Sequence, residues 1–142
     1  MKKQDTLITK ESAELILLWC QLKYGPSIWS VSGKISIKVR SNINYYGKYE
    51  TDEDDVDSSK NYSSIFVNLK KHKKIIELVD TIIHEYTHHK QPILKKFDEY
   101  LNSGYNTDNH PFELEAQFIA KRDSKECKKW LLKKYARQFR RK

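Results

Sequence analysis

The chain has 142 residues, of which 38% are hydrophobic and 32% charged, and its 27 basic and 19 acidic residues give a net charge of +8. This length predicts a single domain over 1–142 with a modest core, and the composition excludes a disordered chain. No apolar run approaches the roughly 20 residues of a membrane-spanning helix, and the stretch 15–19 is too short for a signal peptide. Cys20 and Cys127 form no C-x-x-C pair, so we expect reduced thiols in a cytoplasmic protein.

The first predicted element is an amphipathic helix over residues 9–24. Thr9 or Ser12 caps its start, and Gly25-Pro26 ends it. The apolar spacing predicts that the buried stripe of this helix consists of Leu15, Ile16, Leu18, Trp19 and Leu22.

Three strands are predicted next. Strict alternation makes 34–40 the clearest, 42–49 is a weaker strand or hairpin around Gly47, and 64–69 is the third. The acidic stretch 50–60 between them is predicted as a loop, and it lacks the glycine and the closing glutamate of an EF-hand calcium site. The residues expected to face the core are Ile35, Ile37 and Val39 in the first strand and Ile65, Val67 and Leu69 in the third.

The second half of the chain predicts helices. Apolar residues at helical spacing indicate a helix over about 75–90, before Pro92, and then a short helix over 93–101. A final helical region covers 112–139, and Asp123-Ser124 is expected to interrupt it by capping a new helix. Helices around a small sheet make the predicted fold class α+β.

The motif helix over 75–90 contains the pentapeptide His84-Glu85-Tyr86-Thr87-His88, which has the pattern H-E-x-x-H. Residues i and i+4 share one helix face, so His84 and His88 can direct both imidazoles at one metal ion. Zinc suits this pair, with each nitrogen about 2.0–2.1 Å from the metal. Glu85 lies at the edge of the same face, where it can accept a proton from a water that the metal activates. His89 points about 100° away and is predicted at the surface.

A catalytic zinc takes three protein ligands, and the segment around Pro111 offers the third. The candidates there are Glu113, Glu115 and His110. Glu113 and Glu115 are about 200° apart round a helix, so only one of them can face the metal.

These residues resemble the zincin metallopeptidases, specifically the gluzincin group, which join H-E-x-x-H to a glutamate on a later helix. The family pattern Glu-x-x-Ala-Asp matches Glu113 as the ligand and Ala116 as the small residue between close helices. Gln117 replaces the Asp that would orient a ligand histidine. The resemblance also implies a minimal zincin core, in which the strand at residues 65–69 is the edge that pairs with an extended peptide. SprT-like proteases, which act near DNA, are the second resemblance and would make His110 the third ligand.

The expected activity is zinc-dependent hydrolysis of a peptide or protein substrate, with Glu85 as the general base. Tyr105 or His110 is the candidate donor that stabilises the developing oxyanion. The basic helical extension over about 124–142 predicts a nucleic acid or acidic partner, or a solvated helix face, and no membrane. The alternatives are a DNA-associated SprT-like protease and a non-catalytic, zinc-stabilised binding domain.

Overall fold

The computed structural model describes residues 5–27, 34–51, 63–106 and 109–140, which form an α+β arrangement. In chain order the elements are α1 (Lys10–Tyr24), β1 (Ile35–Val39), β2 (Gly47–Thr51), β3 (Ser63–Val67), a 3-10 turn (Leu69–Lys71), α2 (Ile75–His89), α3 (Ile93–Asn102) and α4 (Pro111–Arg140). The predicted order of helices and strands is confirmed, although β2 begins at Gly47 instead of turning around it. Most of the predicted acidic loop, 52–60, lies outside the described residues.

The sheet has β3 at its centre. β1 pairs with β3 in parallel and β2 pairs with it antiparallel, which gives the order β1-β3-β2. The expectation that residues 65–69 form a peptide-binding edge is therefore wrong, because β3 is hydrogen-bonded on both sides and Leu69 belongs to the 3-10 turn. Within the described sheet, β2 is the antiparallel edge strand, and its first residue, Gly47, lies against Thr81 of α2.

The helix α1 has the predicted ends but a different buried face. The Thr9 hydroxyl accepts the Ser12 N–H at 3.1 Å, and the helix ends at Gly25, whose φ is 78°. The predicted stripe is wrong at Leu18 and Leu22, which are 41% and 70% exposed. The row that faces the core is Ala13, Ile16, Leu17 and Cys20, together with Trp19. Apolar residues occupy so much of this helix that periodicity alone did not identify the row that faces the core.

The helix α2 lies at the centre of the molecule and carries the H-E-x-x-H residues. Its start is fixed by Glu77, whose carboxylate accepts the backbone N–H groups of Lys73 and Lys74 at 2.7 and 2.8 Å. Four apolar side chains along it are fully buried: Leu78, Val79, Ile82 and Ile83. They pack with Ile37, Ile65 and Val67 of the sheet in one core, which confirms Ile37, Ile65 and Val67 as inward-facing residues. Val39 is 37% exposed and does not belong to this core.

The helix α4 runs for 30 residues without the break predicted at Asp123-Ser124. The Asp123 carboxylate accepts hydrogen bonds from the Tyr24 hydroxyl at 2.6 Å and from Nε of Arg122 at 2.8 Å. Because these side chains occupy the carboxylate, it does not cap a new helix. Cys20 and Cys127 are free, buried thiols, as predicted.

In the described part of the chain, no helix has the length and apolar character needed to cross a bilayer.

Candidate metal centre

Two helices bring the predicted ligands together. His84 and His88 lie one turn apart on α2, with ring centroids 5.0 Å apart, and Glu113 projects from the first turn of α4. The Glu113 carboxylate spans both rings: its Oε2 is 3.0 Å from Nε2 of His84, and its Oε1 is 2.7 Å from Nε2 of His88. Among the described residues, these three offer ligand atoms that all lie within 4.8 Å of one another.

The donor set fits a zinc ion. Two imidazole nitrogens and one carboxylate oxygen form one of the usual ligand sets of catalytic zinc. Bonds of about 2.0–2.2 Å in tetrahedral geometry separate two ligand atoms by roughly 3.3 Å, so the observed contacts need only small side-chain adjustments. The side chain of His88 is 8% exposed, whereas those of His84 and Glu113 are 19% and 30% exposed. The site is therefore open on one side, where a water or a substrate can approach.

The charges in the site are coupled. Hydrogen bonds with His84 and His88 hold the pKa of the Glu113 carboxyl well below its usual range. Burial tends to lower the pKa of His88, but its hydrogen bond with Glu113 and the nearby Glu85 carboxylate raise this pKa overall. Burial raises the pKa of Glu85, against the opposing effect of the two histidines. A proton acceptor with a raised pKa therefore lies beside the ligand cluster.

Glu85 faces a cleft between α2 and β2. The cleft has a volume of about 580 Å³, and its lining includes Tyr46, Gly47, Asp80, His84 and Glu85. The Glu85 carboxylate accepts a hydrogen bond from the backbone N–H of Tyr49 in β2. The general-base candidate therefore contacts the edge strand and the ligand cluster at once.

Gly47 allows this close approach. A Cβ atom at position 47 would lie 2.5 Å from Cγ2 of Thr81, 3.2 Å from the Phe66 carbonyl oxygen and 3.5 Å from Cγ of Glu85. The sequence interpretation placed Gly47 in a weaker strand or in a hairpin around it. A glycine within a strand pattern is also the signal for a close approach of another element, which is its role here.

The other candidate ligands lie elsewhere. Glu115 accepts a hydrogen bond from Nε2 of Gln91 at 2.9 Å. His110 is fully buried at the start of α4, where its Nδ1 accepts the Phe112 N–H at 3.1 Å. Tyr105 is 42% exposed, with its ring edge against Tyr100. The geometry thus brings Glu113 to the two histidines, while Glu115 and His110 have other partners.

His89 is not the surface residue that the sequence predicted. It is 3% exposed, and its Nδ1 lies 3.0 Å from the Tyr49 hydroxyl. Its ring also lies 5.4 Å from that of Tyr86. The face of α2 that carries His89 is covered because β2 packs on it, a contact between distant parts of the sequence that helix periodicity does not reveal.

Gln91 contacts His88 at the ring nitrogen that does not face Glu113. The sequence interpretation missed this residue. Gln91 is 5% exposed, and its Oε1 lies 2.7 Å from Nδ1 of His88. Gln117, to which the resemblance gave this position, is exposed on α4. The sequence contained one indication of this contact. Gln91 follows His88 by three residues, and residues three apart lie on the same face of a helix.

The chain was also compared with known proteins. No family model, curated protein or solved structure matches it.

Proposed function

We propose that this chain is a zinc-dependent peptidase with a zincin-like core. The observation that carries the proposal is the convergence of His84, His88 and Glu113, with Glu85 at the edge of the same cluster. His84 and Glu113 are 29 positions apart in the sequence and lie on different helices, yet their side chains are in contact. Two imidazoles and one carboxylate are donor types that a hydrolytic zinc site requires. The buried, free thiols Cys20 and Cys127 are consistent with a cytoplasmic location, which we also propose.

Each residue has a distinct role in this mechanism. His84, His88 and Glu113 would hold the zinc, which when bound activates a water and polarises a carbonyl group. Glu85 accepts the proton of the attacking water and returns it to the amine that leaves. Burial raises the pKa of Glu85 above its ordinary value, against the opposing effect of the two histidines, and a raised pKa makes the carboxylate a better proton acceptor.

The substrate proposed for this site is an extended peptide. A free strand edge offers backbone N–H and C=O groups, which a peptide can pair with as an added strand. Of the two edge strands in the described sheet, β2 is the one that contacts Glu85. The cleft along α2 beside Gly47 leaves room for substrate side chains. We therefore assign to β2 the edge that the family resemblance had assigned to β3.

Glu85→Gln tests the proposal directly. The variant keeps the shape of the side chain and removes the proton acceptor, so we expect bound zinc to be retained while cleavage falls by about 10²–10⁴-fold. Zinc is measured by metal analysis of the purified protein, and cleavage by mass spectrometry of a peptide library. Glu77→Gln is the matched control, since Glu77 lines the same cleft and its helix-capping contacts survive as an amide oxygen.

Three results would decide against the proposal. Full cleavage by Glu85→Gln would remove the general-base role. Zinc bound with no cleavage of any peptide would favour the non-catalytic binding domain. Cleavage that requires added DNA would favour the DNA-associated protease. In that case loss of zinc in His110→Ala but not in Glu113→Ala would also be expected.

A further inference from the structure

The carboxamide of Gln91 connects the two helices that supply the ligands. Gln91 lies just after α2 and is 5% exposed. Its Oε1 is 2.7 Å from Nδ1 of His88. Its Nε2 donates to the Phe112 carbonyl and to the Glu115 carboxylate, both at 2.9 Å. One buried amide therefore uses its acceptor towards α2 and its donors towards the first turn of α4.

The two acceptors on α4 fix the orientation of this amide. A backbone carbonyl and a carboxylate accept hydrogen bonds and do not donate them, so the NH₂ group of Gln91 must face them. The reversed amide would place its oxygen against two other oxygens and leave the NH₂ group opposite His88. Oε1 of Gln91 consequently faces His88.

This orientation determines which nitrogen of His88 carries hydrogen. An amide oxygen only accepts hydrogen bonds, so the contact with Gln91 requires a hydrogen on Nδ1 of His88. Nε2 lies 2.7 Å from the Glu113 carboxylate, so it donates a hydrogen there in the metal-free cluster. Because Gln91 holds the hydrogen on Nδ1, Nε2 is the nitrogen that would give up its hydrogen and use its lone pair for a metal.

The same amide also holds the segment that carries Glu113. Phe112, whose carbonyl oxygen accepts from Gln91, directly precedes Glu113. Glu115 receives the second N–H and thereby keeps the amide turned towards α4. A single side chain thus constrains the ring of one ligand and the backbone beside another.

We propose that Gln91 is a positioning residue of the metal site, which selects the Nδ1–H tautomer of His88 and sets the position of Glu113. Glu115 acts indirectly, because its carboxylate holds the orientation of the Gln91 amide. The inference rests on the proposed metal site, but not on catalysis. Removing a group that hydrogen-bonds a ligand histidine typically weakens metal affinity by about 10–100-fold.

Gln91→Met tests the inference, because methionine has a similar size and offers no comparable hydrogen bonds. We expect its zinc dissociation constant, measured by competition with a chromophoric chelator, to rise by about 10–100-fold. The absorption spectrum of bound Co²⁺ should change because the ligand geometry relaxes. The matched control is Gln117→Met on the exposed side of α4, which should bind zinc within about twofold of wild type.

Nuclear magnetic resonance of the imidazole nitrogens separates a positioning role from a merely structural one. In metal-free Glu113→Ala, where no carboxylate competes for a hydrogen on Nε2, the neutral ring of His88 should carry its hydrogen on Nδ1, and adding Gln91→Met should give a mixture of tautomers. A double change, Gln91→Glu with Glu115→Gln, keeps an acceptor towards His88 and a hydrogen bond between positions 91 and 115, but it leaves the Phe112 carbonyl without this donor. We expect it to restore the Nδ1–H tautomer and part of the zinc affinity.

The outcomes distinguish the two proposals. Gln91→Met with unchanged tautomer, unchanged Co²⁺ spectrum and zinc affinity within about twofold of wild type would overturn the role of Gln91 while leaving the metal site intact. Wild type that binds no zinc would overturn the metal site, and the tautomer of His88 in Glu113→Ala would still test Gln91. If Gln91→Met does not fold, Glu115→Ala removes only the distant partner, and an unchanged tautomer and affinity there would also count against the inference.

Discussion

The two ends of α4 use charge in different ways. Near its start, Glu113 bridges His84 and His88, and Glu115 holds the amide of Gln91. Further along, several lysines of the basic extension are exposed, among them Lys125, Lys129 and Lys133. The two glutamates near the start of α4 contact side chains of α2 and of Gln91 at 2.7–3.0 Å. The three lysines further along are exposed to solvent. The candidate metal centre therefore lies where the charged side chains of α4 have buried partners, and not where its charges are most numerous.

The largest effect is expected from removing the Glu113 carboxylate. Glu113→Ala removes one of the three proposed protein ligands, so we expect zinc affinity to fall by more than the roughly 100-fold that removing a ligand's hydrogen-bond partner costs. Competition with a chelator measures the dissociation constant. Glu126→Ala, at an exposed ion pair with Lys23, is the control and should leave affinity unchanged. A Glu113→Ala protein that binds zinc normally, with zinc lost in Glu115→Ala, would reverse the ligand assignment.

The second test concerns a short hydrogen bond to a charged group in the middle of α4. The Tyr24 hydroxyl donates to the Asp123 carboxylate at 2.6 Å. A hydrogen bond to a charged group contributes about 1.5–3 kcal/mol, so Tyr24→Phe should lower the free energy of unfolding by that amount in urea titrations. Zinc affinity should not change, because neither Tyr24 nor Asp123 belongs to the candidate ligand cluster. Tyr45→Phe, at an exposed tyrosine, is the control.

The same contact has a pH dependence with a definite sign. Hydrogen bonds from Arg122 and Tyr24 lower the pKa of Asp123 from its ordinary value of 3.8. The folded state therefore binds this proton less tightly than the unfolded chain, and the ionised carboxylate stabilises the fold above about pH 4. This contribution is lost as the pH falls through the lowered pKa. The difference between wild type and Tyr24→Phe should accordingly narrow in strongly acidic solution, and a constant difference would contradict the assignment.

The smallest effect is expected from the exposed lysines. Lys125→Glu, Lys129→Glu and Lys133→Glu, combined in one protein, should each change stability by no more than about 0.5 kcal/mol and leave zinc affinity unchanged. Fluorescence anisotropy with a labelled DNA duplex gives the second readout. Salt-dependent binding by wild type that this variant abolishes would make the distal half of α4 a nucleic-acid surface and remove the contrast between its two ends.

The parts of the fold that sequence predicted well are those fixed by local spacing. The H-E-x-x-H spacing put His84 and His88 on one face of α2, and the alternation at 34–40 predicted β1. Glu113 was preferred over Glu115 by resemblance, and α4 presents it to both histidines. The corrections concern contacts between distant segments. The central position of β3 depends on pairing with two other strands, and the burial of His89 depends on β2.

Local spacing also failed where a helix offered two plausible faces or a polar residue had a distant partner. Leu18 and Leu22 fit an apolar stripe as well as Ala13 and Leu17 do, and only packing selects between them. Asp123 has the chemistry of a helix cap, yet Tyr24 and Arg122 occupy its carboxylate. The role of Gln91 required the position of Phe112 and Glu115, which no pattern within α2 contains.

Gly47 makes the width of the cleft depend on a single missing methyl group. The strand β2 can sit against Thr81 and Glu85 only because position 47 has no Cβ. A larger residue there would move the sheet away from α2 while His84, His88, Glu113 and Glu85 stay unchanged. Substitutions of increasing size at Gly47 would therefore vary the distance between the proposed peptide-binding edge and the candidate metal centre without changing the residues of that centre.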